Sequence, residues 1–483
     1  MKIKFKYDNN PLYLKVLLFL IPIVALLFNF KFDNDFWFTI NQGRYILNNG
    51  FPNTVISTIH EGLNFVYQSY GTGIIFYLVY KYFGSIGMMI LLILLAETIS
   101  YFFYKLCYTI SNNKNVSCLL SIIFMTLFST ISYLVTRPLI FTILNLTIIL
   151  YLLEKYLKEN KPKYLIPIPI IGLIQANIHG VYLLPLLIIL CPYIINSFKF
   201  KIFNVESKGY NKKHLFITYI LTFIVGFINP YTYKTIFYGL KSYTPLMKSF
   251  IKELASPTIH NNTGIIIFGL FFLCFFVYYV KKQKMPLRYY LLILGTTYMT
   301  LDAIKSMPFF ILCGLFPIAF LFRKDKPIND NSTKKQKLIA CSIIILVIVL
   351  SSFSVNINKK LEIEDLVKYL DLNNKIDNPK LYTNFWDGSY VEYRGYNCYI
   401  DPRAEVFLKV NNKKEDILKE YILLQQSKSI NYNEFLKKYD FDYLVISKEK
   451  DSLYYYLLYY PNDLYEIIYE DQIYQLWQKK TTS

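Results

Sequence analysis

The chain has no CxxC pair, no small-residue cleavage site behind its first apolar run, no internal repeat and no long low-complexity tract. It is also short of acids, with 33 Asp and Glu against 52 Lys and Arg in 483 residues. Each absence excludes something. Seven cysteines without that spacing indicate neither a zinc site nor a disulfide framework. Without a cleavage site, the first apolar run reads as a retained helix and not a removed signal peptide. The missing repeat weakens a transporter reading, because transporters often carry matched halves. The surplus of +19 is not a nucleic-acid footprint: in a membrane protein Lys and Arg collect on cytoplasmic loops, so no nucleic-acid partner is expected.

What the chain does have is apolar length. Its residues are 54 % hydrophobic, and several runs reach the roughly 17–25 residues that cross a bilayer. Lysines in Met1–Lys6 place the N-terminus in the cytoplasm. The first span, Leu12 to Phe30, then delivers Asp33-Asn34-Asp35-Phe36-Trp37 to the outer face. Carboxylates so close to lipid are costly to desolvate and ask for a reason. Asp35 is read as a catalytic base and Asp33 as its fallback, the plain alternative being solvated loop acids. Phe36 and Trp37 suit the membrane–water interface.

From Phe36 to Asn49 the pattern predicts a helix lying in the interface plane. Phe36, Ile40, Gly43 and Leu47 share one face, and Asn49-Gly50 ends it. The run Thr72 to Phe83 is about 12 residues, or roughly 18 Å of helix, too short to cross. Two basic segments, Lys281–Arg288 and Arg323–Lys337, should be cytoplasmic. Counting back from them puts Arg137, His179 and the loop Tyr231–Asn262 outside, with about eleven spans in all. The last span is Leu338–Ser354. Beyond it the composition turns charged and Tyr-rich. Strand-like runs at Lys380–Phe385, Tyr396–Ile400, Asp442–Ile446 and Ile473–Trp477, with a helical stretch Glu415–Gln426, predict a small α/β domain. The expected architecture is an all-α polytopic membrane domain, 1–355, whose outer loop 31–70 is catalytic. A small extracytoplasmic α/β domain, 356–483, follows it.

Several polar groups then converge on the outer face: Asp35, Arg137, Asn177, His179, Glu253 and Lys305. Each has a dull alternative, namely a snorkelling arginine, a turn histidine or a surface lysine. Glu97, in mid-span, reads as an interhelical contact. Together they supply one acid and several cations at one membrane face. Cations can hold a leaving phosphate while a carboxylate takes the proton of an attacking hydroxyl.

The motifs sharpen this. Asp35-Phe36-Trp37 leads to Gly43 and Ile46, then Pro52 and Ser57-Thr58. Asn177-Ile178-His179-Gly180 follows, then Asn229-Pro230, Ile251-Lys252-Glu253, and Lys305 before Pro308-Phe309. The outer domain shows Asn384-Phe385-Trp386-Asp387-Gly388-Ser389-Tyr390 and Ile400-Asp401-Pro402-Arg403-Ala404-Glu405. Over nearly its whole length the chain resembles the C-type superfamily of membrane glycosyltransferases, in a bacterial branch with an extracytoplasmic C-terminal domain. That resemblance implies a polyprenyl-phosphate sugar donor, an inverting transfer and an extracytoplasmic glycan, lipid or protein acceptor. Arg137, His179 and Lys305 would bind the donor phosphate; Trp37, Asn177 and Glu253 would lie at the substrate or interface. Asp401, Arg403 and Glu405 either bind acceptor glycan or form a polar network fixing the domain.

The departures are Asn53 where the branch has Asp, Gln68 for a His, Lys305 for an Arg, and Leu254 for a Trp. Some C-type transferases use a second acid and a divalent metal. Asn53 argues against a metal here, and no cofactor is expected. The alternatives are a transporter or flippase for a lipid-linked glycan, and a degenerate, non-catalytic scaffold.

Overall fold

A computed structural model describes residues 12–131, 133–202, 205–242, 244–260, 262–281, 284–324, 342, 361–426, 431–460 and 463–480. The lysines of Met1–Lys6, most of the basic segment after Arg323 and all but Ser342 of the expected last span lie outside the described residues. The chain divides into two compact units. Among the described residues, one comprises 12–31, 83–236 and 251–324; the other comprises 32–82, 237–250 and 361–480.

The first unit is helical. Helix α1, Leu12–Asn29, packs on the helix Lys114–Thr130. Among the described residues five helices are long and apolar enough to cross a membrane: Leu12–Asn29, Tyr70–Ser111, Leu139–Glu159, Thr263–Lys281 and Ile304–Leu321. The expected count of about eleven is not reached by length. Other apolar segments, such as Pro167–Ile178 and Lys212–Val225, are cut to 12 and 14 residues. Prolines and turn polar residues interrupt them.

One buried ion pair ties together three helices of this unit, Leu139–Glu159, Leu183–Ile195 and Leu287–Asp302. Glu154, on Leu139–Glu159, accepts from Arg288 Nε at 2.8 Å and Nη2 at 2.9 Å. Tyr193 and Tyr289 hydroxyls donate to the same carboxylate at 2.9 and 3.0 Å. A fully hydrogen-bonded pair is the form in which a charge survives such burial. At this end of the unit the turns interlock: Lys158 Nζ donates to Asn112 Oδ1 (2.7 Å), Asn112 to the Lys324 carbonyl (3.2 Å), and Lys281 stands 3.9 Å over the Phe322 ring. A short antiparallel pair, Lys199–Ile202 with Val205–Lys208, follows the helix Leu183–Ile195.

The second unit is built on a five-stranded sheet. Its order is Asn397–Cys398, Lys380–Tyr382, Tyr443–Ser447, Tyr474–Lys479, Tyr465–Glu470. The first three strands run parallel and the last two antiparallel. The central strand, Tyr443–Ser447, is buried along its whole length, as a strand covered on both faces must be. The loop after α2, Asn34–Asn49, extends the sheet. Thr58 bridges Cys398 in parallel, with Cys398 N to Ser57 O and Ile59 N to Cys398 O, both 3.1 Å.

Helix α2 ends as expected: Gly50, at φ +83°, donates its N–H to the Ile46 carbonyl. The face differs. Phe36, Ile40 and Gly43 are buried but Leu47 is exposed, and Asn41 and Gln42 are buried too. Phe36 and Trp37 are therefore not offered to lipid. They pack among Phe32, Phe76, Tyr80, Tyr390 and Tyr393, with Trp37 4.9 Å from Tyr390 and 5.2 Å from Tyr393. The run Thr72–Phe83 is not an isolated segment. It opens α3, Tyr70–Ser111, which continues through a non-helical backbone at Gly84 (φ 57°, ψ −150°) that only glycine adopts cheaply.

Candidate functional site

In the first unit, the helix Pro167–Ile178 stops at His179, whose backbone (φ −154°, ψ 69°) turns the chain into a 3-10 turn, Gly180–Tyr182. A side-chain relay holds the imidazole. Asn145 donates to Gln175 Oε1 (2.9 Å), and Gln175 Nε2 donates to Thr142 Oγ1 (3.0 Å) and to the His179 carbonyl (2.7 Å). Thr142 Oγ1 meets His179 Nδ1 at 2.9 Å. The ring packs 4.5 Å from Tyr182, which meets Phe309, and Lys305 acts electrostatically on it.

Arg137 lies in the bend before Leu139–Glu159. It grips Glu253 with one nitrogen, 2.9 Å to Oε1 and 2.8 Å to Oε2. Tyr133 and Tyr182 are within the electrostatic reach of both charges. The first unit thus gathers Arg137, Glu253, His179, Tyr182 and Lys305 at one end. Asn177 plays a structural part: its amide donates to the Leu173 carbonyl (2.8 Å) and the Ile228 carbonyl (3.0 Å), closing the turn before Asn229-Pro230. This arrangement can neutralise an anion, with a charged pair, a buried imidazole and a lysine side by side.

In the second unit, Asp33 and Asp35 have distinct local roles. Asp33 is the N-cap of α2, its Oδ1 accepting from Asp35 N at 2.7 Å. Asp35 stands in the first turn, where the helix dipole favours an anion. Trp37, two residues on, is buried as described. Asp35 and the cation group therefore belong to different units.

The outer motif is a buried ion-pair network in which one atom, Glu392 Oε1, has no hydrogen-bond partner among the described residues. Arg403 donates Nε to Asp401 Oδ1 (2.8 Å), and Nη2 to Asp401 Oδ2 (2.6 Å) and Glu392 Oε2 (2.8 Å). All three side chains are at most 1 % exposed. Burial pushes the Glu392 carboxyl well above its ordinary range, with Asp401 adding repulsion and Arg403 opposing. Asp401 and Arg403 thus bond to one another and to Glu392 inside the unit, shielded from solvent. Glu405 sits apart in the 3-10 turn Ala404–Phe407, its carbonyl accepting from Asn411. The spacing of Asp401 and Arg403 was visible in the sequence; Glu392, Tyr182 and the relay Asn145–Gln175–Thr142 carried no such signal. Among the described residues no three His, Cys, Asp or Glu side chains cluster to hold a metal ion.

No protein-family model and no curated protein sequence matches the chain. Solved structures do. The apo oligosaccharyltransferase of Archaeoglobus fulgidus superposes with a TM-score of 0.56 at 11 % identity, over 90 % of this chain and 69 % of that one. Oligosaccharyltransferase AglB of the same organism, in complex with an inhibitory peptide and a dolichol-phosphate, gives 0.57 at 10 % identity, over 92 % and 70 %. The oligosaccharyltransferase tethered to an acceptor peptide gives 0.54 at 11 % identity, over 92 % and 70 %. The fold of this chain is the C-type membrane glycosyltransferase fold that its motifs implied.

Proposed function

We propose that the chain is a membrane glycosyltransferase that takes a sugar from a polyprenyl-phosphate-linked donor and passes it, with inversion, to an extracytoplasmic acceptor. The observation that carries this reading is the fold likeness to oligosaccharyltransferase AglB with dolichol-phosphate, over 92 % of this chain. The acceptor hydroxyl attacks the anomeric carbon from the face opposite the phosphate. Its proton passes to Asp35, and the bond from the anomeric carbon to the phosphate oxygen breaks. Arg137, His179 and Lys305 receive the charge that develops on the leaving phosphate. Arg137 does so by exchanging the Glu253 carboxylate for the phosphate, which its half-exposed pairing supports.

In this reading 1–355 is the transferase domain with 31–70 as its catalytic loop, and 356–483 is the outer domain. The interlocked turns carrying Lys158, Lys281 and Lys324 face the cytoplasm, following the positive-inside bias. No metal takes part, since Asn53 stands where a second acid would be needed; a chelator should leave the rate unchanged.

The test is transfer of labelled sugar from polyprenyl phosphate by membranes carrying the wild type or Asp35→Asn. The variant should lose about 10²–10⁴-fold, the usual weight of a positioned base. Full activity in Asp35→Asn removes Asp35 from the role, and a product that keeps the donor's anomeric configuration removes inversion.

A further inference from the structure

The second unit contains a cavity of about 300 Å³ that the transfer chemistry does not use. Its wall is made where the loop after α2 meets the sheet domain. His60 and Glu61 come from the loop; Lys414, Glu415, Lys438 and Tyr439 come from the helices Ile417–Gln425 and Tyr432–Tyr439 and the turns before them. The parts are fixed. Lys414 Nζ donates to the Glu61 carbonyl, which closes one side. Lys438 Nζ bridges Glu415 Oε2 (2.5 Å) and Glu420 Oε1 (2.8 Å), and the Tyr439 hydroxyl donates to Glu420.

His60 defines the chemistry. Its Nε2 lies 2.8 Å from the Tyr399 carbonyl. A carbonyl only accepts, so Nε2 carries the hydrogen. Burial lowers the imidazole to about 4, so the ring is neutral at neutral pH. Nδ1, which makes no hydrogen bond among the described residues, is then a lone-pair acceptor on a residue that lines the cavity. The Tyr439 ring stands edge-on to His60 at 5.6 Å.

We propose that this recess binds a neutral saccharide. A phosphate would call for a surplus of donors, but the three lysines of the recess, Lys380, Lys414 and Lys438, stand against three acids, Glu61, Glu415 and, behind Lys438, Glu420. A cation would call for a surplus of acids, which Lys414 and Lys438 deny. Donors and acceptors alternating around aromatic rings are what vicinal hydroxyls, each both donor and acceptor, can satisfy at once. The volume is at the small end for ligand sites, which suits a short sugar segment. That the saccharide is the acceptor rests on the transferase reading; that it binds does not.

The experiment is saturation-transfer NMR and calorimetry on the full chain in nanodiscs. The probes are lactose, cellobiose and N,N′-diacetylchitobiose, with inorganic phosphate and calcium chloride beside them. At least one disaccharide should bind saturably. Glu415→Gln and Lys414→Ala should each weaken it about tenfold, the weight of a hydrogen bond to a charged group. Glu466→Gln, on an exposed strand position, should not. Both lining variants should keep the wild-type unfolding temperature, because Glu415 is largely exposed and Lys414 reaches the loop only through its tip. No disaccharide binding, binding untouched by both variants, or binding of phosphate or calcium alone overturns the proposal. Saccharide binding by a wild type that transfers no sugar would keep the recess and discard the transferase.

Discussion

Two arginines, one in each unit, hold carboxylates under opposite conditions. Arg137 grips Glu253 with side chains 29 % and 53 % exposed. Arg403 grips Asp401 and Glu392 with side chains 1 %, 0 % and 1 % exposed. The first pair is screened by solvent, so its partner can be exchanged for another anion at small cost. The second has no exchange open to it, because either partner left behind would be a bare charge in a dry core. Both sites look alike as sequence, a basic residue with an acid assigned to binding. Exposure is what separates an arginine whose partner is exchangeable from one whose partner is locked in.

Breaking the buried side should have the largest effect. Arg403→Ala should cost about 3–5 kcal/mol, because Asp401 and Glu392 would lose their shared counter-charge. Thermal unfolding of the detergent-solubilised chain would read this as a steep fall or as loss of folded yield. An unfolding temperature near that of the wild type would mean that solvent reaches the network.

The exposed side should respond in function and not in stability. Arg137→Ala should change stability by about 1 kcal/mol or less and raise KM for the lipid-linked donor. Glu253→Gln sharpens the comparison, because it leaves Arg137 without its resident carboxylate and should lower the same KM. Movement of both variants in one direction would mean that the pair acts as a positioning strut.

The smallest effect is in pH. Burial raises Asp451 from 3.8 to about 6. Through that window the folded chain keeps a proton that the unfolded chain sheds, so this contribution is lost as pH rises. His60 is lowered from 6.5 to about 4. There the unfolded chain holds the extra proton, and stability is lost as pH falls. Asp451→Asn should therefore steepen the loss of stability on acidification from pH 7 to 5, and His60→Phe should flatten or reverse it. Unfolding curves at a few pH values would distinguish them.

Much of the local structure was legible in the sequence. The end of α2 at Asn49-Gly50 follows from a residue that must adopt positive φ. Four of the five sheet strands and the helix inside Glu415–Gln426 follow from pattern. What was not legible depends on distant partners. Phe36 and Trp37 read as lipid anchors because nothing nearby reveals Tyr390 and Tyr393, more than 350 positions on, which cover them. The strand Tyr465–Glu470 has a single buried residue and lacks the alternation that marks a half-buried strand. The pairing of Thr58 with Cys398 is a single bridge across 340 positions, beyond any periodicity. In the candidate site, Arg137, His179 and Lys305 were named from the sequence, and they lie in one unit. The bond from Arg137 to Glu253 was not legible, because ion pairing depends on which turns meet.

One contact in the second unit has a reach beyond its size. A methyl on Gly43 would sit 2.1 Å from the Gly73 carbonyl oxygen, and one on Gly73 would sit 2.6 Å from the Thr39 carbonyl oxygen. Thr39 in turn is bonded to the Asp35 carbonyl at 2.6 Å. Two bare α-carbons thus act as the shim that sets how deeply the first turn of α2 seats against α3. An added methyl would pry the proposed base out of alignment from two turns away, without touching any atom of the reaction.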